Sequence, residues 1–356
     1  MNLFQNLKRW YKKYEHHATA AAFMLGFIWD TLTLTRVDLL FSNIVFTAYL
    51  LIAAGSIIIL HTHAAGRLRM GLASVRFLTL LIPFAFGNLL SGYLVSYTKS
   101  GSLFASWPFL VALLFLAAGN ELFKKRYQLL IFQLSVLFIS IFSYATFLLP
   151  VLLKRIDGTV FLISGAVSLL VFGGIIFILN LINAKPLRGR LLWGSITGLY
   201  LLFNVAYFTN LIPPLPLSLR EIGVYHTVTP ESGRYRLTYE GAAWYRLFER
   251  TSRTIHLATG EGAHVFSSVF APVGLTTTLF HHWYYFANGE WVERHQVAFQ
   301  IQGGREGGYR VYSFKQEMPL GDWRVDVTTK RGQVVGRIYF SADLATVPLQ
   351  LLEREL

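Results

Sequence analysis

Cationic and aromatic side chains gather around one glycine-rich stretch, GGREGG at residues 303–308. Phosphate-binding loops lead from a strand into a helix, whereas the residues on both sides of this stretch favour strands. A wide turn between two strands therefore explains the glycines better. Arginine and lysine donate to carboxylates and phosphates, and arginine beside aromatic rings is typical of recognition surfaces. The pattern predicts a surface that binds a ligand or partner, made up of Tyr285, Arg305, Tyr309, Arg310, Tyr312 and Lys315, with Tyr284 and Trp291 as further aromatic residues.

Candidates for catalysis or metal binding are weak by comparison. Ser313 lacks the context of a nucleophile elbow. His61 and His63 form an H-x-H pair, but zinc requires three or four ligands. His281 and His282 are neighbours on a strand, so they point to opposite faces and cannot easily share a metal. The chain has no cysteine. The glutamates Glu290, Glu293 and Glu306 also give no pair that the sequence places at the separation that acid–base chemistry requires. We therefore expect no catalytic residue, no metal site and no cofactor.

Residues 263–343 are expected to form an all-β sandwich of immunoglobulin-like character. Six runs rich in β-branched and aromatic residues are separated by Gly, Pro, Asn or Asp, at spacings of about 8–12 residues. Asn288 and Gly289 form a two-residue hairpin turn, because both positions of such a turn require a positive φ. The predicted strands are 264–271, 276–286, 290–301, 308–315, 322–329 and 333–341.

The segments on either side of this domain are less regular. Residues 213–219, PPLPLSL, contain three prolines, which cannot continue a helix and favour an extended, stiff linker. Residues 220–262 are expected to be a mixed connecting region. Within it, 233–241 alternates like a strand and 242–253 fits one amphipathic helix. Residues 344–356 are expected to form a C-terminal tail.

The N-terminal half has the composition of a membrane protein. The chain is 54% hydrophobic and 14% charged, whereas soluble domains carry about a quarter charged residues. Seven apolar segments are each long enough to cross a hydrocarbon core of about 30 Å. We therefore predict a membrane all-α domain, a seven-helix bundle over 18–212, after a cytoplasmic amphipathic N-terminus at 1–17. The spans are 18–35, 41–61, 76–96, 104–122, 128–150, 158–182 and 191–212.

The net charge of +13 belongs almost entirely to the membrane half. Residues 1–213 carry 17 Lys and Arg against 5 Asp and Glu, whereas residues 214–356 carry 15 against 14. If the N-terminus is cytoplasmic, the N-terminal segment and the inner connections together hold 13 positive residues and the outer connections hold 4, as the positive-inside rule requires. An odd number of spans then places the C-terminal domain outside the cytoplasm. No basic face for nucleic acid is expected.

Four polar residues fall within the predicted spans: Asp30, Asn88, Asn120 and Glu121. Asp30 lies near the end of the first span, where an ion pair with Arg36 at the membrane interface explains the presence of a charged residue. Glu121 is placed to pair with a lysine one turn later, and Asn88 fits a polar contact between helices. No span carries the two or three charges expected of a proton-coupled pump.

Several pieces of the C-terminal half form a recognisable pattern: APVGL (271–275), HHW (281–283), NG (288–289), IQGGREGGYRVYSFK (301–315), GDWRVDV (321–327) and GQVVG (332–336). Together they resemble a bacterial envelope module, the domain-of-unknown-function family number 2914. Such modules often follow several membrane spans, and FMLGFIWDTLTLTRVD (23–38) resembles the first span of such proteins. The resemblance implies a polytopic bacterial membrane protein. It also adds His281 and Trp283, which share a face, to the candidate binding surface, while a hydrogen-bonded histidine at the surface of a sheet is the preferred interpretation of His281.

We expect a multi-pass protein of the bacterial inner membrane that presents a periplasmic β-sandwich to an envelope partner, as an accessory or scaffold. The expected partners are membrane lipids and an envelope protein, glycan or lipid headgroup, and not nucleic acid. Three alternatives stay open. In the first, the spans form a transporter or lipid-handling protein with a polar cavity, and the sandwich is its gate or sensor. In the second, the β-domain is an envelope hydrolase. In the third, the aromatic rings belong to the core and the arginines form a solvated edge with no binding role.

Overall fold

The structure is a computed structural model that describes residue 28 and residues 39–100, 103–122, 129–182, 189–231, 233–242, 251–346 and 348–356. The chain divides into a helical unit and a β-rich unit. The β-rich unit contains Asn210–Leu356 together with Lys99–Ser106 and Lys154–Ile156. A helical part followed by a β-rich C-terminal part agrees with the coarser form of the predicted fold class.

Six helices are present in the described part of the helical half, where seven spans were predicted. The predicted first span, 18–35, lies outside the described residues except for Ile28. Five of the six helices are long and apolar enough to cross a membrane. The sixth, α3, is not among them. The helices are α1 (Leu40–Ala64), α2 (Leu72–Ser100), α3 (Leu103–Leu122), α4 (Leu130–Leu153), α5 (Gly158–Ile182) and α6 (Arg190–Phe208).

The helix α4 is the most buried of the five helices that could span a membrane. Phe142 packs against Phe161 of α5 and Phe203 of α6, with ring centroids 5.5 Å and 4.7 Å apart. Tyr144 contacts Phe46 of α1 at 6.0 Å. The surrounding helices expose many large apolar side chains. Such surfaces are stable against lipid because helices satisfy their own backbone hydrogen bonds.

The β-rich unit contains eleven strands among its described residues. They are β1 (Ser218–Tyr225), β2 (Thr227–Glu231), β3 (Arg234–Tyr239), β4 (Thr254–Leu257), β5 (Ala263–Phe270), β6 (Thr276–Ala287), β7 (Glu290–Gln302), β8 (Tyr309–Lys315), β9 (Gly321–Thr329), β10 (Val334–Leu344) and β11 (Leu352–Glu355). The six predicted strands correspond to β5–β10. The predicted hairpin turn joins β6 to β7, with φ of 52° at Asn288 and 84° at Gly289.

Three sheets form the β-rich unit. The five-stranded sheet has the order β4-β10-β9-β6-β7, the central sheet β1-β5-β8 and the small sheet β11-β3-β2. The five-stranded and central sheets share a core that includes Trp283, Trp323 and Val265. Leu237 of the small sheet packs on the opposite face of the central sheet, against Phe266. The central sheet is therefore covered on both faces.

The segments around the predicted sandwich contain more structure than the sequence suggested. Within the segment 213–219, Leu217 is fully buried in the core and β1 begins at Ser218. Gln333 donates from its side-chain nitrogen to the carbonyl of Ile212 at 3.2 Å. Proline is compatible with this extended, buried path because it does not need to continue a helix. The connecting region and the tail supply β2, β3, β4 and β11, and the predicted amphipathic helix lies mostly outside the described residues, at 243–250.

Candidate functional site

His281 and Trp283 lie in the core of the β-rich unit and not on its surface. Both residues are 0% exposed. Alternate residues of a strand share a face, so β6 turns these two side chains inward and its neighbour His282 outward. The Nε2 atom of His281 lies 2.8 Å from the hydroxyl of Ser267, and its Nδ1 atom lies 2.9 Å from the hydroxyl of Ser313. His281 therefore connects β6 to β5 and β8, and a partner cannot reach it in this structure.

The environment of His281 keeps the ring neutral. Burial, with a smaller contribution from the charge of His282, lowers the pKa of His281 from 6.5 to about 3. A neutral imidazole has one nitrogen that donates and one that accepts, which suits a bridge between two hydroxyls. Trp283 Nε1 also donates to the Ser313 hydroxyl at 2.9 Å. These contacts form a buried polar network, which is a structural role.

The glycine-rich corner connects β7 to β8 as a strand-to-strand turn. The N–H of Gly303 donates to the carbonyl of Leu275 at 2.8 Å, and the N–H of Gly304 donates to Ala271 at 3.1 Å. A Cβ atom at Gly303 would lie 1.8 Å from the carbonyl oxygen of Pro272. Only glycine therefore fits at this close approach of two backbones. The corner fixes the direction in which β8 leaves it, and with it the position of Arg310.

The strand β8 turns Arg310 away from the shared core. Val311 and Ser313 are buried, and Arg310 lies on the opposite face of the central sheet. The register pairs Arg310 with Ser268 of β5, and Ser268 with Glu221 of β1. These three side chains form one row across the sheet. Arg310 and Glu221 therefore belong to the same surface, although they are far apart in the sequence.

A second arginine reaches this row from the small sheet. Arg354 of β11 donates from Nη1 to Glu221 Oε1 at 2.7 Å. We define the arginine surface as Arg305, Arg310, Arg354 and Glu221. Arg305 is exposed and Arg310 half-buried. Neither side chain has a hydrogen-bond or ion-pair partner among the residues that the structure describes. Burial and the neighbouring charge of Arg305 lower the pKa of Arg310.

The remaining predicted surface residues lie in different places. Tyr309, 36% exposed, is adjacent to Arg310 on β8. Tyr312 packs beside the small sheet, with its ring 6.0 Å from that of Tyr235. Tyr285 donates its hydroxyl to the carbonyl of Leu320 at 2.9 Å. Lys315 is at the other end of β8, about 17 Å from Arg310 at 3.3 Å per residue. Of the predicted set, Arg305 and Arg310 thus lie near each other and Tyr312 shares the face of Arg310 on β8, whereas Tyr309 points to the opposite face.

The outer face of the five-stranded sheet holds a second group of arginines and aromatic rings. We define the aromatic face as Tyr284, Trp291, Arg324, Asp326, Arg337 and Tyr339. The guanidinium of Arg324 lies 4.2 Å from the Tyr284 ring centroid and 5.1 Å from that of Trp291. Asp326 accepts two hydrogen bonds from Arg337 and lies 3.5 Å from Arg324. The cations of the aromatic face are therefore paired with its own rings and carboxylate, whereas the side chains of Arg305 and Arg310 have no such ion pair among the described residues.

A histidine–glutamate cluster was not anticipated from the sequence. Glu240 lies between His226 and His256, with nitrogen–oxygen distances of 3.0 Å and 2.7 Å. Burial raises the pKa of Glu240, but hydrogen bonds from the backbone and ring of His256 and from His226 outweigh it, so the pKa is lowered. These residues fall in the connecting region, and although Glu240 lies in the alternating stretch 233–241, nothing in the sequence linked it to the two histidines. No group of three or more suitable ligands for a metal occurs among the described residues.

The polar residues predicted within the spans give no pathway in the described residues. Asn88 donates its side-chain amide to the carbonyl of Phe84 in its own helix, at 2.8 Å. Asn204 does the same to Tyr200 at 2.8 Å. Asp30 lies outside the described residues. The side chains of two other candidates are also outside them, although α3 includes their backbone: Asn120 and Glu121.

Comparisons with known proteins identify one part of the chain. No curated protein matches the sequence. A solved structure of the alkylpurine DNA glycosylase AlkC from Pseudomonas fluorescens, bound to DNA containing an abasic site analogue, is 12% identical. The alignment covers 86% of this chain and 99% of that one, with a TM-score of 0.21, which does not indicate a shared fold. Residues 276–342, from the start of β6 nearly to the end of β10, match the family model described as "Protein of unknown function (DUF2914)". The C-terminal half of this chain therefore carries a DUF2914 module, as its sequence pattern predicted.

Proposed function

We propose that this chain is an accessory protein of the bacterial inner membrane. The apolar helices, five of which are long and apolar enough to cross a membrane, hold a β-sandwich of immunoglobulin-like character in the periplasm. The sandwich binds an envelope partner: a protein, a glycan or a lipid headgroup. Five helices long and apolar enough to cross a membrane support this proposal. The excess of Lys and Arg in alternate connections supports a cytoplasmic N-terminus.

The arginine surface is the observation that carries the binding proposal. The side chain of Arg310 is half-buried and makes no hydrogen bond or ion pair among the described residues, although the charge of Glu221 acts on it, and Arg305 is beside it in the corner. Partly desolvated cations without a partner are unfavourable, and an anionic group that docks there removes the penalty. Arginine beside tyrosine is also a frequent composition of binding hot spots. Tyr312, two residues after Arg310 on β8, lies on the same face of the strand and supplies the tyrosine.

Crosslinking in native membranes tests the binding proposal. A photoreactive amino acid replaces Gly307 in the full chain, an exposed residue of the corner whose Cβ would lie 3.8 Å from Nη2 of Arg310, and the crosslinked partner is detected by its mass. We expect the double variant Arg305→Gln with Arg310→Gln to lose this product. The matched control is Arg234→Gln, at an exposed arginine that pairs with Glu355. An unchanged product in the double variant refutes the arginine surface as the docking site.

Single-cysteine labelling tests the topology, because the chain contains no cysteine of its own. The exposed residue Gln296 of β7 reports on the β-rich unit, and the exposed residue Ala65 reports on the connection after α1. A maleimide that cannot cross the inner membrane is expected to label Gln296→Cys in intact cells. It is expected to label Ala65→Cys only after the membrane is opened. The reverse order of labelling refutes the proposed orientation.

A further inference from the structure

The strand β7 forms one edge of the five-stranded sheet. Among the described residues, it pairs only with β6. In an antiparallel strand every second residue directs its N–H and C=O away from the neighbouring strand. One side of β7 therefore presents backbone donors and acceptors that this sheet does not use. The strand has 13 residues and is the longest of the described strands. A long edge of this kind can pair with another extended chain.

The first half of β7 carries the features that protect an edge from such pairing. Glu290, Glu293 and Arg294 are charged and exposed. The pairing with β6 also skips Arg294, which is the extra residue of a β-bulge. Charged side chains and bulges both prevent the approach of a further strand. The strand is therefore protected over residues 290–295.

The second half of β7 lacks these features. We define the β7 edge as residues 296–302, QVAFQIQ, which contain no charge, no proline and no glycine. The pairing of these residues with β6 is regular. Val297, Phe299 and Ile301 face the core, and the Gln and Ala residues between them are exposed. Short neutral segments with this composition pair edge to edge when they are exposed.

The other edge strands of the β-rich unit are short or protected. β4 and β11 have four residues each, and β2 has five and contains Pro230. The pairing of β1 with β5 skips Arg220, which forms a bulge, and β8 carries Arg310 and Lys315. The β7 edge is thus the only long neutral edge among the described strands. This contrast distinguishes it from an ordinary sheet boundary.

The sequence of the β7 edge is nearly the same in both directions. QVAFQIQ becomes QIQFAVQ when it is reversed. A two-fold axis at Phe299 therefore places Gln296 opposite Gln302 of a second copy. It also places Val297 opposite Ile301, and Phe299 opposite its own counterpart. A two-fold interface needs such a self-complementary surface, because both copies contribute the same residues. We propose that the β7 edge pairs antiparallel with the β7 edge of a second copy of this chain, about a two-fold axis at Phe299.

Both faces of the joined sheet are compatible with this register. On the outer face Ala298 lies opposite Gln300, so that a small side chain leaves room for a large one. On the core side Val297 and Phe299 are half-buried, and a second copy removes their exposed parts from water. The two copies then share one continuous sheet. The inference concerns a second copy of the chain and does not rest on the binding of an envelope partner.

Cysteine crosslinking in native membranes tests the register, because the chain contains no cysteine of its own. The contact is a strip about 24 Å long at 3.4 Å per residue, narrower than a permanent dimer interface, so covalent capture is the suitable measurement. Two full-chain variants, Ala298→Cys and Gln300→Cys, carry different affinity tags, are produced together and are treated with a mild oxidant. In the proposed register the two cysteines lie opposite each other, with Cα atoms about 4.5–5.5 Å apart.

The mixed product distinguishes this register from chance collision. Each cysteine lies about 7–8 Å from the same cysteine of an identical copy, along the diagonal of the pair. We expect the mixed disulfide to exceed either single-variant disulfide by about fivefold or more, because Cα atoms more than about 7 Å apart are bridged only if the backbone moves. Similar yields of the mixed and single-variant disulfides overturn the inference.

An exchange of charges tests whether the occupant is a second copy. The mixed disulfide between Gln296→Cys and Gln302→Cys reports the pairing. Ala298→Lys with Gln300→Lys in both chains places like charges opposite each other and is expected to reduce this disulfide about fivefold or more. The same two positions changed to Glu in both chains are expected to do the same. One chain with the Lys pair and one with the Glu pair are expected to restore it.

The control and the contrary outcomes complete the test. Thr227→Lys with Thr229→Lys, at exposed positions of the edge strand β2, is expected to leave the disulfide unchanged. Restoration in the mixed pair also shows that both double variants are folded. If the mixed pair does not restore the disulfide, or if the cysteines crosslink to a different protein instead, the β7 edge does not bind a second copy and the inference is wrong.

Discussion

The buried ring of His281 makes the stability of the β-rich unit dependent on pH. Its pKa is about 3 in the folded chain and 6.5 when the ring is in its ordinary environment, as in an unfolded chain. The unfolded state therefore takes up a proton first as the pH decreases. The contribution of the neutral ring to stability is complete above pH 6.5 and is lost progressively between pH 6.5 and about 3.

The magnitude follows from the two pKa values. Within this range each pH unit removes about 1.4 kcal/mol from the free energy of unfolding. Acidification from pH 6.5 to about 5 therefore removes about 2 kcal/mol, and the full range removes about 4–5 kcal/mol. A loss of about 2 kcal/mol is a large part of the stability of a typical domain, which makes it measurable.

Hydrogen exchange of the full chain, read by mass spectrometry, measures this effect. Peptides from β6 and β8 report the opening free energy after correction for the intrinsic effect of pH on exchange. His281→Gln removes the titrating ring and is expected to flatten the slope between pH 6.5 and about 5, although the variant is less stable throughout. The control His295→Gln, at a half-buried histidine of β7, is expected to retain the wild-type slope. The same slope in wild type and His281→Gln refutes the reasoning.

Three further predictions concern stability, measured by the same exchange assay. Asp326→Asn leaves half-buried arginines without their carboxylate and is expected to cost about 3 kcal/mol, whereas Glu231→Gln, in a solvent-exposed pair, is expected to cost under about 1 kcal/mol; equal costs would contradict the burial argument. Gly303→Ala forces two backbones apart and is expected to cost about 2–4 kcal/mol, and Gly307→Ala under about 0.5 kcal/mol. Tyr285→Phe loses one hydrogen bond to a carbonyl and is expected to cost about 0.5–1.5 kcal/mol.

The helical half was predictable because a span needs only length and apolar composition. The predicted spans 41–61 and 158–182 correspond to α1 and α5, and the ends differ by three residues or fewer. Strands β5–β10 were predictable for a similar reason. Alternation within a strand and turn residues such as Asn288-Gly289 at its end are local signals, so the sequence near a strand is enough to predict it.

The strands that sequence reasoning missed have no clear local signal. β1 is covered on both faces of the central sheet, so polar and apolar residues do not alternate along it as in a half-buried strand. β4 and β11 have four residues each, and they exist because β10 and β3 pair with them. Such pairing depends on residues far away in the chain, which a local pattern does not report.

The candidate site shows the same limit. The sequence pointed to Arg305 and Arg310 because they flank a glycine-rich stretch. It did not point to Glu221 or Arg354, which are 133 residues apart and meet through the row of the central sheet. It also placed His281 on the binding surface. The pleat of β6 was predicted, but which of its faces is covered depends on the sheet that packs against it.

The sequence by itself determined the apolar helical half, the β-rich half, most of the strands and the DUF2914 pattern. These properties arise from composition, spacing and turn residues, which act over a few neighbouring positions. Only the tertiary structure decided that His281 belongs to a buried hydroxyl network and that the aromatic face neutralises its own charges. It also decided that the side chains of Arg305 and Arg310 make no ion pair among the described residues. Burial and charge balance depend on which strands pair and which sheets pack, and these contacts join residues that the chain keeps far apart.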